Sequence, residues 1–216
     1  MAIIEALRGI LGFITNLGLM WSFTPPPFNG YHSVIINLTF FLHPIRLIYL
    51  WANAFKKKFK NFNKPTIVVS FSSLSSGVLV ALTDDKTLNP RIKAWITDGG
   101  PFINLEECTS LLYKNFFSIN NKYLLKFLSF LGGRSLGKKF EAQATIRAKS
   151  LPNNFPILAM LSEKDNIVPR KHTEAVFEGA DLDVKTVILP RADHLQGLGL
   201  NTKLYKESVL ELLEKI

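Results

Sequence analysis

"PTIVVSFSSLSSGVLVAL", Pro65 to Leu82, runs from a β-branched apolar segment through a serine-dense turn into a second apolar segment. Val and Ile are stiff at χ1 and suit a pleated strand, while Gly77 to Leu82 has helical character. The stretch therefore reads as strand, tight turn and helix, with "SFSSLSSG", Ser70 to Gly77, at the turn. Such a turn either presents one reactive hydroxyl or is a polar loop, and its partners elsewhere in the chain decide between the two.

The same pattern recurs on both sides. Short, nearly continuous apolar runs lie at residues 2–4 ("AII"), 33–37 ("SVIIN"), 66–70 ("TIVVS"), 93–97 ("KAWIT"), 156–161 ("PILAML") and 184–189 ("VKTVIL"). Continuity of this kind marks strands buried on both faces. Between them fall helical patterns over 45–62, 77–82, parts of 105–130, and 172–177, and a last helix carries Val209, Leu212, Leu213 and Ile216 on one face. Alternating strands and helices predict an α/β fold, a mostly parallel sheet with helices on both faces. Residues 1–216 are expected to form one domain, with no internal repeat.

Composition agrees: 216 residues, 47% hydrophobic and 20% charged, are enough for one sizeable core. The single cysteine, Cys108, excludes an internal disulfide framework and fits a reducing, cytoplasmic setting. Net charge is +9, and the densest basic run, "KKKFKNFNK" (Lys56 to Lys64), is interleaved with phenylalanine. Ile48, Trp51, Ala52, Phe55, Phe59 and Phe62 form one helical stripe, so the lysines read as its solvated face rather than a nucleic-acid site. Weak contact of the 45–64 segment with an anionic membrane surface is a possible accompaniment. Residues 9–23 lack the basic leader of a signal peptide, and His43, Pro44 and Arg46 interrupt the apolar stretch 34–55.

In such sheets the working residues gather beyond the carboxyl ends of strands. Past "TIVVS" lie the serines; past "PILAML" comes "SEKDNIVP" with Asp165; past "VKTVIL" comes "PRADHLQG" with His194. A serine hydroxyl is a poor nucleophile at neutral pH. It needs an imidazole to take its proton and a carboxylate to fix that imidazole's tautomer.

Here the chain resembles the α/β-hydrolase superfamily. "PILAMLSEKDNIVP" is similar to the family's acid strand and loop, "VILPRADHLQG" to its closing strand and histidine loop, and "RGILG" (Arg8 to Gly12) to its oxyanion loop, with Arg8 where the family carries His. The resemblance implies a compact α/β-hydrolase fold with a cap insert at 102–155 and a serine, Asp165 and His194 as the catalytic triad. It implies backbone oxyanion donors near Ile10 and Leu74, and neither cofactor nor metal. The implied reaction is cleavage of a small carboxylic ester or thioester through an acyl-enzyme, with a small acyl compound as partner.

The elbow itself departs from the family pattern. Small residues are expected two before and two after the nucleophile, where backbone segments crowd. Ser73 has Ser75 after it but Phe71 before; Ser72 has Ser70 before it but Leu74 after. Ser73 is favoured, with Ser72 the alternative register, and Ser70, Ser75 and Ser76 read as stand-ins for glycine. The turn "NLTFFLHP" also lacks the family's glycines. A catalytically inactive α/β-hydrolase-like scaffold, acting as a binding protein, is therefore the alternative function. His32, His43 and His172 read as polar surface, Asp193 as a solvated turn, and Asp98 as either a site-lining or a turn residue. Asp165 has a second reading as a cap for the helix beginning near Pro169.

Overall fold

The computed structural model describes residues 47–60 and 64–216. The expected strands at 2–4 and 33–37, and Arg8, Ile10, His32, His43, Phe62 and "NLTFFLHP", lie outside the described residues. Within them, the chain runs α1 (Leu47–Phe59), β1 (Thr66–Phe71), α2 (Ser73–Asp84), β2 (Ile92–Asp98), α3 (Leu105–Asn115), α4 (Lys122–Leu136), α5 (Lys138–Glu141) and α6 (Ala144–Lys149). It continues through β3 (Phe155–Ser162), α7 (Arg170–Phe177), β4 (Leu182–Leu189), α8 (Gly197–Leu200) and α9 (Thr202–Lys215).

The four strands pair in parallel in the order β1-β2-β3-β4. Alternate side chains go to opposite faces, which builds two cores. Trp95 and Ile157 join Val68, Leu79, Phe55 and Val176 on one face, under α1, α2, α6 and α7. Ala94, Ile96, Leu158 and Met160 join Tyr205, Val209 and Leu212 of α9 on the other. Strands β2 and β3 are buried on both faces over nearly their whole length, which is why they read as almost unbroken apolar runs, whereas β4 is half-buried over most of its length. At the chain's end Ile216 is 44% exposed, off the apolar face expected for it.

The stripe of α1 is used in this core. Ile48, Ala52, Phe55 and Phe59 are buried, Phe55 stacks on Phe59 at 4.4 Å between ring centroids, and Lys57, Lys58 and Lys60 face solvent. Arg91 Nη1 meets the carboxyl end of α1, donating to Phe59 O at 3.2 Å and Lys60 O at 3.3 Å. None of the described helices is long and apolar enough to cross a membrane.

Residues 102–155, expected as a cap insert, divide into two parts. Phe140, Ala144 and Ala148 are fully buried in the first core, and Arg147 binds Asp84 at 2.6 Å, so α5 and α6 are part of the α/β body. Helices α3 and α4 pack on each other and carry the insert's outer surface.

Helix α1 reaches the sheet by lying against α2 at Gly77, where an added Cβ would stand 2.8 Å from Trp51 Cβ and 3.2 Å from Ile48 O. Neither neighbour is the loose end of a side chain. Gly77→Val should therefore cost about 1 to 3 kcal/mol through overpacking. Urea unfolding would report a lower midpoint with an unchanged slope; an unaltered midpoint would mean that the two helices are not in this contact.

Candidate active site

Strand β1 hands over to α2 at Ser72, whose backbone stands at φ +48°, ψ −132°. A positive φ is rare for a residue with a Cβ and costs about 1 to 3 kcal/mol, so the surroundings must hold it. They do so with hydrogen bonds: Ser72 N donates to Asp98 O at 2.8 Å, and Ser75 N donates to Ser72 O at 3.0 Å. The sharp bend lifts the Ser72 hydroxyl off the sheet, and its Oγ lies 3.0 Å from His194 Nε2.

His194 follows β4, and its Nδ1 lies 2.8 Å from Asp165 Oδ2. Asp165 follows β3, and its side chain is only 3% exposed, while that of His194 is 11% exposed. A carboxylate so enclosed needs donors. Asp165 Oδ1 accepts from Ile167 N at 3.0 Å and Val168 N at 2.7 Å, leaving Oδ2 for the imidazole. A carboxylate on Nδ1 fixes the proton there, so Nε2 presents its lone pair to Ser72. Serine, imidazole and carboxylate thus stand in one hydrogen-bonded line.

Several readings from the sequence change. The hydroxyl in line with His194 is that of Ser72, in place of the favoured Ser73. The bulky residue two positions on, Leu74, lies half-buried and does not crowd the turn, whereas Ser75, Ser76 and Gly77, farther along α2, are buried. In this register the amide after the nucleophile belongs to Ser73, the first residue of α2, so it takes the place expected for Leu74. That helix start leaves its first amides without helical acceptors. Ile10, the other expected donor, lies outside the described residues. Asp165 does not cap α7, whose N-cap position is held by Pro169 with no side-chain cap.

The remaining serines have a different use from that of glycine. Trp95 Nε1 donates to Ser70 Oγ at 2.7 Å, Ser70 Oγ donates to Ser75 Oγ at 2.9 Å, and Ser75 Oγ lies 2.8 Å from Thr97 Oγ1, which also donates to Gly100 O. These buried hydroxyls lace β1, β2 and the start of α2 together beneath the bend. Ser76 is buried with them.

Other residues brace the site from behind. Gly99 has φ +66°, and a Cβ there would lie 3.3 Å from His194 Cε1 and 3.8 Å from Asp165 Oδ2. The imidazole therefore rests directly on backbone. Asp193, expected as a solvated turn, joins the two loops: its Oδ1 accepts from Asn166 N at 3.0 Å and its Oδ2 from Asn166 Nδ2 at 2.6 Å. His172, expected at the surface, is 3% exposed, with Nε2 2.9 Å from Glu107 and Nδ1 2.8 Å from Asn104 Nδ2. It fastens α3 to α7. Cys108 is buried, and burial pushes its thiol well above the ordinary range, so it is no competing nucleophile. Among the described residues no cluster of three His, Cys, Asp or Glu is placed to hold a metal.

Comparison with known proteins places this geometry in a fold. No family model matches the chain, and no curated protein does. Solved structures do. An esterase of Pyrococcus furiosus superposes with a TM-score of 0.58 at 18% identity, over 78% of this chain and 61% of that one. An α/β hydrolase from a deep-sea metagenome gives 0.55 at 15% identity, over 81% of this chain and 74% of that one. The 2-hydroxy-6-oxo-6-phenylhexa-2,4-dienoate hydrolase of a Rhodococcus strain gives 0.53 at 15% identity, over 82% and 74%. The chain spans under two thirds of the Pyrococcus enzyme's length. At these identities the likeness carries the fold, which is the α/β-hydrolase fold.

Asp98, at the end of β2, is 2% exposed beside the site, and its Oδ1 has no hydrogen-bond partner. Burial raises its carboxyl from 3.8 to about 6; the charge of His194 and the Tyr205 hydroxyl pull it down, and Asp165 pushes it up. A folded-state value above the unfolded one means that folding takes up a proton between the two. The destabilisation is therefore absent below about pH 3.8 and complete above about pH 6. Asp98→Asn should stabilise the protein by up to about 3 kcal/mol near pH 8, and the gain should shrink towards pH 4. Urea unfolding at the two pH values measures it; an equal effect at both would contradict an ionising Asp98.

Proposed function

Taking the α/β-hydrolase fold as the frame, we propose that the protein is a serine hydrolase that cleaves a small carboxylic ester or thioester through an acyl-enzyme on Ser72. The observation that carries this reading is the unbroken line from Ser72 Oγ through His194 to Asp165, 3.0 Å and 2.8 Å, raised on a strained strand-to-helix turn. A polar loop has no need of that backbone or of a buried carboxylate behind the imidazole.

The roles follow from the geometry. Ser72 Oγ attacks the substrate carbonyl as its proton passes to His194 Nε2. Asp165 holds the imidazole by Nδ1 and stabilises the imidazolium that forms. Negative charge develops on the former carbonyl oxygen and is met by the Ser73 amide, aligned with the first turn of α2 and its positive dipole end. Imidazolium then returns the proton to the departing alkoxide or thiolate. Water, deprotonated by the same Nε2, releases the acid and restores Ser72. The first proton transfer follows a hydrogen bond already made, from Ser72 Oγ to His194 Nε2, the later ones use that same nitrogen, and none calls for a metal or an organic cofactor.

Hydrolysis of 4-nitrophenyl esters of short and medium acyl chains, and of the matching thioesters, tests the reading. Ser72→Ala should lower kcat/KM by about a thousandfold or more, and Asp165→Asn by a comparable factor. Ser73→Ala keeps its amide, so it should stay within about tenfold of the parent. A folded parent without activity on either class would favour the non-catalytic scaffold instead.

A further inference from the structure

Helix α4 is apolar on two sides. Leu125, Leu128, Ser129, Gly132, Gly133 and Leu136 turn inward, and Gly132 and Gly133 bring the helix close against Thr109 and Glu106 of α3. On the opposite side Tyr123, Leu124, Phe127, Phe130 and Leu131 recur at i, i+1, i+4, i+7 and i+8, with exposures of 74, 47, 58, 42 and 42%. A contiguous stripe of large apolar side chains is ordinarily covered, yet this one faces outward.

The charge around the stripe points to what covers it. Between Glu107 and Glu141 the chain has no acidic residue and six basic ones, Lys114, Lys122, Lys126, Arg134, Lys138 and Lys139, of which Lys138 pairs with Glu106 at 3.7 Å. Two of these border the stripe directly, with Lys122 Nζ 5.0 Å from the Tyr123 ring and Arg134 5.3 Å from that of Phe130. Aromatics flanked by cations match the polar–apolar boundary of a bilayer with anionic headgroups. A second copy of this face would bring like charges together, and a nucleic acid would leave the leucines and phenylalanines unused. At 15 residues, α4 is too short to span and is of a length to lie in the interface plane.

We infer that α4 is a membrane-surface anchor, seating Tyr123, Leu124, Phe127, Phe130 and Leu131 at the headgroup boundary of an anionic bilayer while Lys122, Lys126 and Arg134 engage the lipid phosphates. This surface is separate from the α1 segment, whose apolar stripe is buried in the core. It does not depend on the hydrolase reading.

Co-sedimentation with phosphatidylcholine vesicles, with and without phosphatidylserine, tests the anchor. The protein should bind the phosphatidylserine vesicles and lose affinity as salt rises. Lys122→Ala and Lys126→Ala should each weaken binding about fivefold, and the exposed pair Phe127→Ser with Phe130→Ser about tenfold, with circular dichroism unchanged. Lys57→Ala with Lys58→Ala, which removes two charges from α1, should have a smaller effect than Lys122→Ala with Lys126→Ala, which removes two from α4. Failure to bind at low salt would overturn the anchor. So would equal losses from both lysine pairs, indifference to the phenylalanine change, or a dimer in solution that the phenylalanine change dissolves.

Discussion

The φ of +48° at Ser72 is the constraint on which the site depends. A residue with a side chain does not hold that backbone by itself. In ordinary strand or helix geometry the hydroxyl would swing away from His194. The pairing of Phe71 with Asp98 brings the Asp98 carbonyl to the Ser72 amide, and the Trp95, Ser70, Ser75 and Thr97 hydrogen bonds tie the two strands to the start of α2. These bonds are buried, where an unmade hydrogen bond is expensive, so the turn cannot relax without leaving polar atoms unpaired.

The same logic sets the other two side chains. Ser162 lies opposite Leu189 at the ends of β3 and β4, so the loops that follow leave the sheet side by side. Glu163 N donates to Leu189 O at 3.1 Å and Lys164 N to Ala192 O at 2.9 Å, before Asp193 closes on Asn166. Register in a buried parallel sheet is fixed by which side chains go inward. The Asp165 to His194 contact is in this sense a consequence of strand pairing.

The strands were legible because burial leaves a strong trace, on both faces in β2 and β3 and over parts of β1 and β4. The runs at 66–70, 93–97, 156–161 and 184–189 fall inside β1 to β4, which extend them by one or two residues. Asp165 and His194 were legible through their places beyond strand ends, and the structure brings the two together with a serine. The serine in line with His194 is Ser72, the alternative register, in place of the favoured Ser73. The rule about small neighbours concerns space, and the sequence does not say that Leu74 lies half-buried while the crowding falls on Ser75 to Gly77. Helix α2 begins four residues before its apolar run, since tertiary contacts override the poor helix propensity of serine. His172 and Asp193 read as surface and turn residues for a related reason: their partners, Glu107 and Asn166, are 65 and 27 residues away.

Chemical reactivity at Ser72 is the central claim, and a fluorophosphonate probe with peptide mass mapping reads it directly. The account predicts one adduct, on Ser72, formed by the folded protein and lost in His194→Ala. An adduct on Ser73, or no adduct on a folded protein at any concentration that labels a reference serine hydrolase, would contradict it.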